Sequence, residues 1–174
     1  MISRKSLLVT VVLVFVVALL AGCGTEAVQV PDRDININMD AALAGQQKGM
    51  EGLMTGQVTW TEEEFSSFLT TLLEQNGASG FVESVKAWFE PENGIVIQVG
   101  LPGGMTADLA GKVMVQDNIL QVDLEGASAM GLAAAGPILD VVEGAINRAL
   151  DDPSLGVAVD VMTDEGQIML GIGQ

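Results

Sequence analysis

The chain has 174 residues, of which 23 are acidic, seven are basic and none is histidine, so its formal net charge is −16 at pH 7. A surface of this charge repels nucleic-acid phosphates and anionic lipid headgroups, which argues against nucleic-acid binding. With no histidine and a single cysteine, the chain cannot build a Ser-His-Asp or Cys-His site and lacks the usual ligands of zinc. We therefore expect no enzymatic activity, no metal site and no cofactor.

The first 22 residues have the pattern of a secretory signal peptide. Arg4 and Lys5 precede an apolar run over residues 7–20, which is short for a helix that must cross about 30 Å of hydrocarbon. Residues 20–23, Leu-Ala-Gly-Cys, resemble the lipobox of bacterial lipoproteins. The resemblance implies that Cys23 is acylated, becomes the first residue of the mature chain and attaches it to a membrane. The alternative is an uncleaved membrane anchor in which the cysteine has no role.

The mature chain is long enough for one domain. Removal of residues 1–22, which carry two basic and no acidic side chains, leaves 152 residues with five basic and 23 acidic side chains and a formal charge of −18. A chain of this length buries about 70% of its unfolded surface. With Cys23 acylated, no thiol remains for a disulfide.

Residues 23–57 are rich in glycine and polar residues, which predicts a lipid-anchored tether before a single α+β domain over residues 58–174. The segment 41–54 can form only a poor helix, because each of its three glycines costs about 1 kcal/mol relative to alanine. These glycines are Gly45, Gly49 and Gly52.

The predicted domain opens with a helix that starts after Trp60. Thr61 and Glu64 have the spacing of a capping box, and Trp60 and Phe65 have that of a hydrophobic staple. Asn76-Gly77 ends the helix. Its apolar side chains recur at helical spacing and form one stripe. They are Phe65, Phe68, Leu69, Leu72 and Leu73.

Alternating apolar and polar residues predict four strands after this helix. They cover residues 85–90, 95–101, 106–115 and 119–126. Because each has one apolar and one mostly polar face, the sheet should be antiparallel. The glycines Gly111, Gly126 and Gly171 lie within predicted strands and indicate bulges or strong coiling.

A second helix is predicted from Gly136-Pro137, since proline suits the first helical position, and its apolar stripe includes Val142 and Ile146. A final hairpin follows over residues 155–161 and 167–174, with Val157, Val159 and Val161 expected on one face. The predicted order is α-β-β-β-β-α-β-β. This order describes an α+β fold in which one antiparallel, coiled sheet of about six strands packs on two helices.

The layout is similar to that of the tubular lipid-binding (TULIP) superfamily, particularly its small bacterial single-unit lipoproteins. The likeness covers about residues 57–174 and rests on the order and spacing of the elements, not on a diagnostic motif. These elements are Thr61-Glu-Glu-Glu at the start of the first helix, the strand hairpins, GPILDVVEGAINRAL and the closing DEGQIMLGIG. It implies a sheet that coils around a helix and holds acyl chains in an apolar cleft. The side chains that would line such a cleft are Phe65, Phe68, Leu69, Leu72, Val142 and Ile146.

We therefore expect an extracytoplasmic protein, anchored by lipid to the cell membrane or outer membrane, that binds or shuttles a lipid or other apolar ligand. The alternative is an envelope lipoprotein with a closed core and no ligand, which presents its acidic surface to a protein partner. A cavity of several hundred Å³ lined by apolar side chains separates the two hypotheses.

Overall fold

Two antiparallel sheets and three helices make up the described part of the chain. The structure, a computed structural model, describes residues 27–75, 82–129, 132–133, 136–151 and 157–173. The helices are α1 (Met39–Thr55), α2 (Glu62–Gln75) and α3 (Gly136–Leu150). The strands are β1 (Gln57–Thr61), β2 (Ser84–Glu90), β3 (Gly94–Leu101), β4 (Met105–Gln116), β5 (Ile119–Ala129), β6 (Leu132–Ala133), β7 (Val157–Asp164) and β8 (Gln167–Gly173). The predicted α+β class and antiparallel pairing are confirmed.

The strands divide into two sheets, whereas the sequence predicted one sheet of about six strands. Sheet A has the order β1-β8-β7, and sheet B has the order β2-β3-β4-β5-β6. The prediction was wrong here: β8 pairs with β7 on one side and, on the other, with β1, a strand that was not foreseen, from Gln57 opposite Gly171 to Thr61 opposite Gln167, so these strands form a sheet of their own. Sheet A meets the turns of sheet B at β7, where the Ala158 N–H donates to the Asn118 carbonyl at 2.9 Å.

The predicted signals at the start of α2 are confirmed. The Thr61 N–H donates to Glu64 Oε2 at 3.0 Å, and the Glu64 N–H donates to Thr61 Oγ1 at 3.3 Å, which is a capping box. The rings of Trp60 and Phe65 lie 6.1 Å apart. The helix runs from Glu62 to Gln75, as its sequence predicts.

Helix α2 covers one edge of sheet B with polar side chains. Three side chains on successive turns of α2 accept hydrogen bonds from alternate N–H groups of the edge strand β2. The pairs are Glu62 with Phe89 at 2.8 Å, Ser66 with Ala87 at 2.8 Å and Thr70 with Val85 at 3.0 Å. The spacings match because four helical residues advance about 6.0 Å and two strand residues about 6.6 Å. The helix thereby satisfies an edge that would otherwise be free to pair with another strand.

Helix α3 does the same at strand β5. The side-chain amide of Asn147 accepts from the Val122 N–H at 2.8 Å and donates to the Val122 carbonyl at 2.9 Å. One turn earlier, Glu143 Oε2 accepts from the Leu124 N–H at 2.9 Å. Sheet B is therefore an open sheet in which α2 is hydrogen-bonded to β2 at one lateral edge and α3 is hydrogen-bonded to β5 toward the other edge.

Two bulges change the course of the strands. The register between β4 and β5 shifts at Ala110/Gly111, where a Cβ on Gly111 would overlap the Asp123 carbonyl oxygen, so the bulge predicted at this glycine is confirmed. A second shift lies between Ala158 and Asp160 in β7. It reverses the side-chain alternation, so Val157 and Val159 are exposed and Val161 is buried, and the prediction that these three valines share one face was wrong.

The region predicted to be a tether is largely packed against the domain. The N-terminal segment, residues 27–38, lies on sheet B, where the Trp88 indole N–H donates to the Arg33 carbonyl at 2.7 Å and Ile35 is buried. Helix α1 follows, capped by the Asn38 side chain at its start and by Gly56 in the left-handed conformation at its end. The structure differs from the expectation because burial and packing outweigh the low helix propensity of the glycines in α1.

Candidate functional site

The six residues predicted to contact a ligand all lie in the hydrophobic core. The most exposed of them is Phe68, at 7%, followed by Leu72, at 5%. They belong to one cluster in which α2 and α3 contribute side chains toward the inner faces of the sheets. The six are Phe65, Phe68, Leu69, Leu72, Val142 and Ile146.

Aromatic contacts fill the region around α2. The Trp60 ring stacks on Phe68 at a centroid distance of 6.2 Å, and Phe65 meets Phe89 edge-to-face at 5.1 Å. These separations are typical of packed aromatic pairs in a protein interior. Phe65 and Phe68, two of the predicted ligand contacts of α2, thus pack against other aromatic side chains of the protein.

The inner face of α1 is built from small residues. Ala42, Gly45, Gly49 and Gly52 are its buried positions. The Gly45 carbonyl accepts a hydrogen bond from the Trp60 indole at 2.8 Å. The absence of side chains lets the backbone of α1 approach α2 and β1 closely, and the larger side chains of the helix point elsewhere.

The large apolar side chains of α1 are exposed to solvent. At about 100° per residue they fall within an arc of about 100° on one side of the helix. Their exposed fractions lie between 39% and 79%. We call this set the α1 surface: Met39, Leu43, Met50, Leu53 and Met54. Isolated exposed apolar residues are ordinary, but a contiguous group on one helix is typical of a contact site.

A shallow open depression of about 360 Å³ lies on this side of α1. Apolar side chains and two neutral glutamines dominate its lining. The lining residues are Leu43, Gln46, Gln47, Met50, Glu51 and Met54. Methionine side chains are flexible and polarisable, so such a surface adapts to apolar groups of different shape.

The single basic residue of α1 is neutralised within the protein. Lys48 Nζ lies 2.7 Å from Glu64 Oε2. Partial burial of Glu64 opposes ionisation, but hydrogen bonds from Lys48 and Thr61 outweigh it and lower the pKa of this carboxyl. Asp40 and Glu51 are exposed, and neither forms an ion pair within the ranges that the structure describes. The exposed charge of the helix is therefore negative.

Arg33 holds the N-terminal segment to both sheets. Its guanidinium lies 2.9 Å from Glu62, 3.0 Å from Glu90 and 3.2 Å from Glu165. The hydrogen bond with Glu62 raises the pKa of Arg33. Because these carboxylates belong to α2, to β2 and to the β7–β8 turn, a single cation ties together the start of the described chain and three other elements.

Two further depressions lie along sheet A. One, of about 380 Å³, opens between Asn93 and Met162, and the other, of about 230 Å³, lies beside Gln57 and Asp160. Both are open to solvent, and Met162 and Met169 line each of them. Neither includes any of the six predicted ligand contacts.

The described residues do not group three or more carboxylates in a way that suits a metal ion. Within the same ranges, no helix has the length and apolar composition needed to cross a bilayer. Cys23 and the predicted signal peptide lie outside the described residues.

The sequence reasoning missed the α1 surface, although a signal for it was present. Met39, Leu43, Met50 and Met54 recur at spacings that place them on one side of a helix. The three glycines led us to predict a tether and not a helix, so these side chains were not assigned to a helix face.

No family model, curated protein or solved structure matches the chain.

Proposed function

We propose that the protein is an extracytoplasmic lipoprotein, anchored through Cys23, whose folded domain acts as a protein-interaction module. The observation that carries this proposal is the distribution of apolar side chains. Those predicted to bind a ligand are buried in the core, whereas the large apolar residues of α1 are exposed. The membrane is reached through the N-terminal lipid, and the domain is free to bind a partner.

The N-terminal segment supports an anchored domain that lies close to the membrane. Ala27 is the first described residue, and three residues, 24–26, separate it from Cys23. The four residue-to-residue steps from Cys23 to Ala27 span at most about 14 Å. Since Arg33 holds the segment to both sheets, an acyl group on Cys23 would keep the domain near the bilayer.

A lipid carrier is the competing proposal, and the position of α2 and α3 is the observation that favours it. Helix α2 is hydrogen-bonded to β2, at one lateral edge of the open sheet B, and helix α3 is hydrogen-bonded to β5, toward the other edge. The six predicted ligand contacts lie on these two helices. Separation of the helices would open a cleft between these side chains. The two proposals therefore differ in whether Phe68 is a packing residue or a ligand contact.

Uptake of a fluorescent fatty acid by the purified full chain in phosphatidylcholine nanodiscs tests the proposal. An interaction module gives no saturable uptake above empty discs, and Phe68→Ala destabilises the fold by about 3–5 kcal/mol because a cavity opens in the core. Val141→Ala, at an exposed position of α3, changes stability by less than about 0.5 kcal/mol and is the control. Saturable uptake that Phe68→Ala weakens, with only a modest loss of stability, would overturn the interaction module in favour of the carrier.

A further inference from the structure

We propose that the α1 surface is the docking site for a basic amphipathic helix of a partner protein. The inference deepens the proposed function and rests on it. It combines two properties of α1, the apolar side chains that the helix exposes and the negative charge around them.

The apolar component has the dimensions of a helix-binding surface. Helix α1 has 17 residues, a length of about 25 Å, and its exposed apolar residues extend from Met39 at the first position to Met54 near the last. A partner helix that lies along it would contact it through apolar residues at positions i, i+3 or i+4 and i+7. The depression between Leu43 and Met50 is open to a large side chain of such a partner.

The charge component selects a basic partner. Asp40 and Glu51 are exposed on α1, and Lys48 is neutralised by Glu64. The mature chain would carry a formal charge of −18. A partner with lysine or arginine beside its apolar face is attracted to this surface, and the attraction speeds association and excludes acidic partners.

The same charge argues against the other occupants of an apolar helix face. A second copy of the chain brings an equal negative charge, and anionic headgroups repel the domain as well. Helices that lie in a membrane interface present lysine and arginine on their polar face, whereas the lysine of α1 is paired within the protein.

Binding of a fluorescein-labelled 18-residue helix of leucine and lysine to the full chain in phosphatidylcholine nanodiscs tests the inference. Empty discs give the background. We expect saturable binding that Leu43→Gln combined with Met50→Gln weakens about tenfold or more. Met162→Gln is the matched control, since this methionine is exposed on sheet A to a similar degree, 55% against 60% for Met50, and it should leave binding unchanged.

Two further measurements test the charge component. Asp40→Asn combined with Glu51→Gln should weaken binding and reduce its dependence on salt, and the same peptide with glutamate in place of lysine should not bind. Equal binding of both peptides, or no effect of the Leu43→Gln/Met50→Gln pair, overturns the inference.

The remaining outcomes assign the surface to another occupant. A dimer that Met50→Gln dissociates would assign it to a second copy, and quenching of a fluorophore at Met50→Cys by doxyl lipids would assign it to the bilayer. Either result overturns the inference. Absence of peptide binding without lipid uptake overturns this inference alone, whereas saturable lipid uptake overturns the proposed function.

Discussion

The replacement of Gly45 by alanine tests whether α1 is packed against the domain, as the structure has it, or belongs to a tether. A Cβ at this position would lie 2.9 Å from the backbone oxygen of Glu64 and 3.2 Å from Phe68 Cβ. The first distance is shorter than a carbon and an oxygen tolerate, and the oxygen belongs to the backbone of α2. The two helices must therefore separate slightly to accept the methyl group.

Two opposing effects set the magnitude. Alanine is favoured over glycine inside a helix by about 1 kcal/mol, and overpacking in a close contact costs about 1–3 kcal/mol. The net result for Gly45→Ala is a loss of up to about 2 kcal/mol. Gly144→Ala provides the matched control, because this helical glycine of α3 has no atom within 4 Å of the added Cβ. Only the favourable effect applies there, and we expect a gain of about 0.5–1 kcal/mol.

Urea unfolding of the wild type and both variants, followed by tryptophan fluorescence, measures the difference. Trp60 and Trp88 are the two tryptophans of the chain and both are buried, so unfolding changes their emission. For a chain of this size each kcal/mol corresponds to about 2–4 °C in Tm, which gives a thermal check. If Gly45→Ala stabilises the protein as much as Gly144→Ala, then α1 does not pack on α2 and the reasoning is refuted.

Three further predictions concern the anchor, an edge of sheet B and a titrating carboxyl. Cys23→Ser should leave an unprocessed precursor that incorporates no labelled palmitate, and normal processing of this variant would rule out lipidation. Asn147→Ala removes the partner of the Val122 N–H and carbonyl in β5 and should lower the free energy of unfolding in urea by about 1–3 kcal/mol. Arg148→Ala, at the exposed neighbouring position, is the control and should change it by less than about 0.5 kcal/mol. Glu64 has a lowered pKa in the folded state, so its ion pair with Lys48 stabilises the fold above the ordinary glutamate pKa of 4.5, and this contribution is lost as the pH falls below it. Glu64→Gln should therefore lower Tm at pH 7 and differ little from the wild type in acid, and an equal loss at both pH values would contradict the assignment.

Much of the fold could be predicted because its signals are local. The capping box of Thr61 and Glu64, the turn glycines and the alternation along β2 to β5 each act within a few residues of the chain. The helices α2 and α3 and the strands β2 to β5 accordingly lie within a residue or two of the predicted bounds, apart from the C-terminal end of β5, whereas the two-residue strand β6 was not predicted. The bulge at Gly111 was predictable for the same reason, since a glycine in an alternating strand already marks an irregularity.

The candidate site could not be predicted in the same way. The apolar stripe of α2 has the same sequence pattern whether its far side meets a ligand or the protein, and the stacking of Trp60 on Phe68 is visible only in the tertiary structure. The valines of β7 were misplaced for another reason. Gly171, which pairs with Asp160 at the shift between Ala158 and Asp160, marked an irregularity in the sequence, but it did not show that the alternation of the valines would reverse there.

The sequence by itself determined the acidic charge and the local secondary structure of α2, α3 and strands β2 to β5. The tertiary structure decided the division of the strands into two sheets and the state of α1. Isolated, a helix with Gly45, Gly49 and Gly52 is disfavoured by about 1 kcal/mol at each glycine. Those same glycines allow a close approach to α2 and β1, so the contacts that stabilise α1 exist only when the domain is assembled, and its large apolar residues are left exposed to solvent.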